Sequence, residues 1–462
     1  MPPKFGTSGL RGLVTELTDD LVADHIRAFL AACPTGGAVH VGWDLRPSSP
    51  RIADVVMETV ENEGLPVVDN GPVPTPALAL QAMRAGHAAI MVTGSHIPAD
   101  RNGLKFYVPG GEIAKSDEAG ISAALGRAPA RRSAPDRRTE DALGPYCARY
   151  TAAFGAEALQ GWRIGVYQHS SVARDALVTV IEGLGAVAIP LGRSDIFVPV
   201  DTEALDPATR AMLRGWVVEH GLDAVVSTDG DADRPMVADA TGTLIPGDVL
   251  GALTAQALGA RIVVTPVSSN TMVQAMGFDR VVTTRIGSPY VIAGMTAALA
   301  ENDASKVAGY EANGGFLLGF EADGPKGRLA PLMTRDCLLP IVAPLAAARA
   351  QGRTLAASVA ALPPRFTAAD RIAGIDTDVS KAFIARLSAD AAARATFFSG
   401  LGSEAGIDMT DGMRVTFSSG DVVHLRPSGN APEFRCYAEA DSPARAADLV
   451  AACFARVRDE LV

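Results

Sequence analysis

Short apolar runs set between amphipathic helical stretches recur along most of this chain, and that alternation restricts the fold more than any other feature. Val39 to Gly42, Pro66 to Asp69 and Ala88 to Val92 read as extended. Thr18 caps a helix whose Leu21, Val22, Ile26, Phe29 and Leu30 share one face; Ser49-Pro50 opens a second helix that Gly64 ends, and Thr75-Pro76 opens a third. Strands alternating with helices imply a mainly parallel, doubly wound sheet.

The rhythm then returns twice. Trp162 to Val166, Ala186 to Leu191 and Asp223 to Ser227 read as strands, with helices over Arg174 to Glu182 and near Pro207 to His220. A third unit opens with a helix at Pro246-Gly247, then Arg261 to Thr265 extended, a helix near Asn270 to Met276, and Val307 to Gly309. After Pro363-Pro364 the pattern alternates instead: Met413 to Phe417, Val422 to Leu425 and Phe434 to Glu439 suit antiparallel strands, and Ser442-Pro443 caps a final helix. The fold class is therefore α/β, with three doubly wound α/β domains followed by a smaller C-terminal α+β domain. The chain has 462 residues, and at roughly 150 residues per domain that length accommodates such a set.

Charge and cysteine usage narrow the partners. The net charge is −11, which lacks the broad positive field that nucleic acid or an anionic membrane needs, so an anionic ligand must be held by a local basic pocket. The arginines at 127, 131, 132, 137 and 138 fall in an alanine- and proline-rich stretch without interleaved aromatics, and read as a solvated connection. The five cysteines are widely spaced with no metal-ligand pattern, as in buried cytosolic thiols. The N-terminus lacks a signal-peptide layout, and no apolar run approaches the ~18 residues of a membrane span. A soluble cytoplasmic protein with no nucleic-acid or membrane partner is expected.

Each α/β unit has a short strand running into a polar, glycine-containing loop, at Thr93, Thr228 and Gly309. Ligands of parallel sheets sit beyond the carboxyl ends of strands, so the three loops would face one central cleft. In Asp229-Gly230-Asp231-Ala232-Asp233-Arg234 three carboxylates alternate with small residues, a pattern that converges on a small hard cation and favours Mg²⁺. An EF-hand would need glycine sixth and glutamate twelfth; Arg234 and Ala240 stand there. In Thr93-Gly94-Ser95-His96-Ile97-Pro98 the G-x-S-x-G nucleophile pattern fails at both glycines, which argues against acyl transfer. Ser95 facing a Mg²⁺ loop would suit a phosphoryl carrier, although taken alone it reads more readily as a turn serine, with His96 an orienting hydrogen-bond donor rather than a base.

Arg426-Pro427-Ser428-Gly429-Asn430 combines an arginine fork, side-chain donors and an approachable backbone, which suit a phosphate, though proline and glycine alone would make a β-turn. Glu311 and Asn313, in a glycine-rich loop, offer a carboxylate and an amide for sugar hydroxyls. Arg11, in Phe5-Gly6-Thr7-Ser8-Gly9-Leu10-Arg11-Gly12, would reach a phosphate or lie in a mobile terminal arm. Two G-x-G-x-x-A matches, at Gly183 and Gly400, do not join a strand to a helix, and there is no P-loop.

Taken in order, these loops resemble the α-D-phosphohexomutase superfamily, and most of all its bacterial phosphomannomutases, over essentially the whole chain. The resemblance rests on the Phe5 to Gly12 opening, the Ser-His-x-Pro loop followed by Asn102-Gly103-Leu104-Lys105, the Asp-Gly-Asp-Ala-Asp-Arg loop, the glutamate-bearing loop and Arg-Pro-Ser-Gly-Asn. It implies domains at 1–140 (phosphoserine loop), 141–245 (metal loop), 246–362 (sugar loop) and 363–462 (phosphate binding), the last closing over substrate. It implies that Ser95 is phosphorylated and binds Mg²⁺ together with Asp229, Asp231 and Asp233. Arg426, Ser428, Gly429 and Asn430 would grip the non-reacting phosphate, and Glu311 and Asn313 the sugar. Arg11, Lys105, His96 and Arg234 would complete the catalytic set, Arg11 and Lys105 stabilising charge near the reacting hydroxyl. The implied reaction moves phosphate between C6 and C1 of a hexose, with mannose phosphates foremost, through a hexose 1,6-bisphosphate. Phosphoglucomutase activity, a Mg²⁺-dependent sugar-phosphate phosphatase and a catalytically silent binder are the alternatives. The sugar loop departs from the common Gly-Glu-x-Ser-Gly pattern at Tyr310 and Asn313, and the serine loop carries Gly94 and Ile97 where alanine and asparagine are frequent.

Overall fold

The computed structural model describes residues 3–6, 9–130, 136–427 and 433–461. In the first sheet Ala88–Val92, Val39–Trp43, Val67–Pro72 and Arg137–Thr139 run parallel in that order. Arg101–Val108 lies antiparallel beside Ala88–Val92, and Leu10–Leu13 antiparallel beside Arg101–Val108. The second sheet has parallel Val187–Arg193, Arg163–His169 and Ala224–Thr228, then antiparallel Pro235–Asp239. The third has Arg280–Thr284, Ile262–Pro266 and Val307–Tyr310 parallel, then antiparallel Phe316–Leu318 and Leu332–Asp336.

Each α/β sheet is thus parallel on one side and antiparallel on the other, where the sequence pattern predicts mainly parallel pairing. The reason is loop length: a parallel neighbour needs a crossover of a dozen or more residues, whereas the few residues after Val92, Thr228 and Tyr310 can only turn the chain back on itself. The three polar loops are therefore hairpin turns at equivalent corners of three sheets. This is how sequentially distant loops come to meet, Ser95 with Asp229, and Asp233 with Glu311 by way of Arg335.

Local signals act as read. Thr18 accepts from the Leu21 amide at 3.3 Å, and the helix it starts buries Val22, Ile26 and Phe29. Asp206 caps Pro207–His220 by accepting from Thr209 N at 2.9 Å, and Gly221 ends that helix in the left-handed region. Two segments differ from expectation. Arg137–Thr139, read as solvated connection, closes the parallel edge of the first sheet. The helix expected near Asn270 to Met276 is a short 3-10 turn, Thr271–Ala275, capped by Asn270.

The apolar core decides how the units are joined. One continuous cluster runs from Leu78 and Tyr107 through Tyr146, Leu177 and Val226 to Leu250, Phe316 and Leu338, so the three α/β units are fused around it. The helix Leu338–Ala350, buried on nearly all sides, packs on the helices Gly247–Ala257 and Leu143–Phe154 and the strand Pro235–Asp239. The C-terminal sheet, antiparallel in the order Phe366–Ala373, Glu433–Ala440, Val422–Pro427, Met413–Phe417, Glu404–Asp408, has its own separate core with the helices Thr377–Ala389 and Pro443–Leu461. Polar contacts tie it to the third unit: Thr271 to Glu439, Arg285 Nε to Thr410 O at 3.2 Å, and the Ile286 amide to Asp411 Oδ2 at 2.9 Å. Among the described residues no helix is long and apolar enough to cross a membrane.

Candidate active site

Ser95 sits in the hairpin between Ala88–Val92 and Arg101–Val108, fully buried, with a left-handed φ of 54°. Its amide donates to Thr93 Oγ1 at 2.7 Å. Arg46 stakes the loop from beneath, donating to the carbonyl oxygens of Ser95 (2.8 Å), Ile97 (2.5 Å), Pro98 (2.7 Å) and Arg101 (3.0 Å). Asp44 in turn holds Arg46 Nε at 3.1 Å and accepts the hydroxyls of Ser49 and Thr93 at 2.6 and 2.7 Å. Gly94 is required here: a Cβ would stand 2.7 Å from the Arg46 guanidinium carbon. Phe197, from the second unit, lays its ring against the same guanidinium, 4.1 Å from centroid to Cζ.

The acidic loop meets Ser95 directly. Ser95 Oγ donates to Asp229 Oδ2 at 2.7 Å. Asp229, Asp231 and Asp233 are completely buried, each with a carboxylate oxygen within 4.8 Å of the others'. Thr75 Oγ1 and Lys105 Nζ donate to Asp231 Oδ2 at 2.6 and 2.5 Å; Lys105 also reaches Asp233 Oδ2 at 2.5 Å, and Arg335 pairs with that oxygen at 2.9 Å. The Oδ1 atoms of Asp231 and Asp233 are buried without a hydrogen-bond partner among the described residues. Burial and the two neighbouring carboxylates push Asp229 up to about 8, while Lys105 and Thr75 draw Asp231 well down against its own burial. Three converging carboxylates with unpartnered oxygens suit a divalent cation with oxygen ligands, and Mg²⁺ fits that donor set.

The remaining residues surround this pair of loops. Arg11 lies in Leu10–Leu13, opposite Gly103 of Arg101–Val108; burial and Arg234 press its guanidinium down to about 10, while Asp231 and Asp233 pull the other way. His96, expected as a donor, accepts at Nδ1 from Arg234 Nη1 at 3.0 Å, because a guanidinium has only hydrogens to offer; Nε2 alone remains to donate. Burial, Arg234, Arg11 and Arg435 hold His96 well below its ordinary range, so it is neutral. Lys105 bonds to the acidic loop.

Glu311 and Asn313 occupy the hairpin between Val307–Tyr310 and Phe316–Leu318, both buried. Asn313 Oδ1 accepts the Gly315 amide at 2.9 Å, so its carbonyl shapes its own loop. Glu311 Oε2 lies 3.5 Å from Arg335. Arg426 ends the strand Val422–Pro427, 3.6 Å from Asp411 and paired in register with Arg435 on the neighbouring strand. A cavity of about 600 Å³ opens beside it, lined by Lys115, Arg285, Tyr290, Lys381, Asp411 and Arg426 among others. Ser428, Gly429 and Asn430 lie outside the described residues.

Asp44, Arg46, Thr75, Arg335 and Arg435 escaped sequence reasoning. An Asp-x-Arg triplet directly after the buried strand Val39–Trp43 was the available signal for the first two, since that strand ends beside Val92. The others act across long sequence separations and carry no local mark.

A buried serine in the left-handed region, hydrogen-bonded to one of three clustered carboxylates that lysine and arginine side chains also reach, is an arrangement suited to phosphoryl transfer. The family descriptions agree with this geometry: phosphoglucomutase/phosphomannomutase alpha/beta/alpha domains I, II and III match residues 2–132, 145–242 and 246–366, and the C-terminal domain matches 377–456. The chain is 46% identical to a phosphomannomutase of Sinorhizobium fredii (strain NBRC 101917 / NGR234), covering 100% of both chains. It is 40% identical to a phosphomannomutase of Salmonella muenchen, over 99% of this chain and 96% of that one. A phosphoglucomutase/phosphomannomutase family protein from Burkholderia thailandensis shares the fold, with a TM-score of 0.74 at 21% identity over 98% and 97% of the two chains. The chain belongs to the phosphoglucomutase/phosphomannomutase family. Within it, this protein is a phosphohexomutase, an isomerase.

Proposed function

We propose that the chain interconverts hexose 6-phosphate and hexose 1-phosphate, with mannose phosphates as substrate, through phosphorylated Ser95 and a hexose 1,6-bisphosphate. The observation that carries this is the 2.7 Å hydrogen bond from Ser95 Oγ to Asp229, which sets the alcohol against the acidic triplet. The names of the two full-length relatives support mannose. The working parts are divided as 1–140, 141–245, 246–362 and 363–462, carrying the serine, the acidic triplet, the sugar loop and the phosphate anchor.

In the first half-reaction the substrate hydroxyl attacks phosphorus, the bond from phosphorus to Ser95 Oγ breaks, and the hydroxyl's proton leaves to a basic group of the site. The bisphosphate turns over and returns its other phosphoryl to Ser95, so serine is regenerated in the phosphorylated form and atoms balance. Asp229, Asp231 and Asp233 would hold Mg²⁺, which supplies charge neutralisation at the transferring group. Arg11, Arg234 and Lys105 offset the remaining negative charge, and neutral His96 orients Arg234. Arg426, with Ser428, Gly429 and Asn430, grips the phosphate that is not reacting, while Glu311 and the Asn313 amide orient the sugar. The buried floor excludes water, which would otherwise take the phosphoryl group.

Intact-mass analysis and peptide mapping should find phosphate on the Ser95 peptide, and Ser95→Ala should lose that mass and at least about 10⁴-fold in turnover. Mannose 1-phosphate should isomerise faster than glucose 1-phosphate, with little inorganic phosphate released. Phosphate release matching substrate loss would make the protein a phosphatase, and full activity of Ser95→Ala would remove the serine from the mechanism.

A further inference from the structure

Arg335 takes no part in the chemistry above, yet it is the side chain among the described residues that ion-pairs with both the acidic loop and the sugar loop. It leaves the strand Leu332–Asp336 almost fully buried, with one nitrogen 2.9 Å from Asp233 Oδ2 and another 3.5 Å from Glu311 Oε2. Its passage depends on Gly315, where a Cβ would stand 2.8 Å from both Cγ and Cδ of Arg335. A planar guanidinium can serve two carboxylates on separate loops at once, which a single ammonium does less well. The two distances are unequal, so the guanidinium leans on Asp233.

We propose that Arg335 is a positioning residue whose charge is shared between Asp233 and Glu311, so that cation binding at the acidic loop and sugar recognition at Glu311 are coupled. A cation that claims Asp233 turns the guanidinium toward Glu311 and fixes that carboxylate for the sugar hydroxyls. Removing Glu311's charge does the reverse, shifting Arg335 further onto Asp233 against the cation, with Glu112 still acting on the same guanidinium. The inference rests on the mutase reading and adds to it a link between metal and sugar that linkage requires to be reciprocal.

The test is a double-mutant cycle read by Mn²⁺ binding, followed by electron paramagnetic resonance on the full chain without substrate. Glu311→Gln should weaken Mn²⁺ binding by about fivefold or more, the lower range of measured couplings between sites. In an Arg335→Met background the same Glu311 change should leave Mn²⁺ affinity unaltered, and Arg335→Met alone should tighten it. A purely structural role would weaken binding in both variants and leave their effects additive. Equal effects of Glu311→Gln in the two backgrounds, or none in either, overturn the proposal. Should Arg335→Met not fold, Gly315→Ala displaces the same side chain without removing its charge, and the Glu311 effect must shrink there too. A wild type that isomerises hexose phosphates while the cycle shows no coupling defeats this inference alone. A wild type that binds no Mn²⁺ and isomerises nothing defeats the reading beneath it.

Discussion

Ser95 adopts a left-handed backbone that costs a non-glycine residue about 1–3 kcal/mol, and the surroundings make that conformation the one available. Arg46 ties four carbonyls of its loop, and Thr93 takes its amide. Close by, His169 secures the strand that leads into the acidic loop: its Nε2 donates to Thr228 O at 2.9 Å, one residue before Asp229. Burial presses this imidazole down to about 4. The folded pKa lies below the unfolded value of about 6.5, so near pH 7 both states are neutral and the group is without effect on stability. As pH falls from about 6.5 toward 4 the unfolded state takes a proton that the folded state refuses, and up to about 3 kcal/mol of stability is lost. Urea melts at pH 7 and pH 5 should show this, and His169→Asn, which tolerates the local φ of 24°, should flatten the slope. An unchanged slope would move the effect to other groups.

At the level of elements, three hairpin turns carry the proposed chemistry and small residues let them touch. Gly230 is a close approach between two of them, since a Cβ there would come within 2.9 Å of Ser95 O and 3.1 Å of the Phe197 ring. Gly230→Ala should therefore cut kcat by about tenfold and raise the Mg²⁺ needed for half activity, with a melting temperature near that of the wild type; steady-state assays across a Mg²⁺ series check it. Wild-type kinetics in that variant would mean that the two loops need not stay in register. These turns were legible because each keeps its reactive residues contiguous: Asp229, Asp231 and Asp233 announce a cation wherever the loop lies. Thr75 and Arg335 were not, because their partners are remote in sequence, whereas Asp44 and Arg46 pair only two residues apart and their Asp-x-Arg triplet went unread. Leu338–Ala350 was equally hidden, being apolar all round and holding Pro340 and Pro344, so it shows no helical stripe. Phe366–Ala373 is mostly exposed at a sheet edge, without the inward-outward alternation that marks a strand. Asn313 was legible as a polar loop residue, but the use of its carbonyl within the turn depends on backbone geometry.

For the whole molecule, the decisive contrast is between a core cluster that spans three units and one confined to the fourth. Between them stand polar contacts such as Thr271 with Glu439 and Ile286 with Asp411, which water can replace at little cost. Calorimetry should accordingly resolve two unfolding transitions, the smaller belonging to the C-terminal unit, and a hexose bisphosphate that touches both walls should draw them together. A single transition, with or without ligand, would argue for tighter union. Because the wall bearing Arg426 keeps its hydrophobic interior to itself, a change inside that wall need not disturb the packing beneath Ser95, and the two can yield to mutation independently.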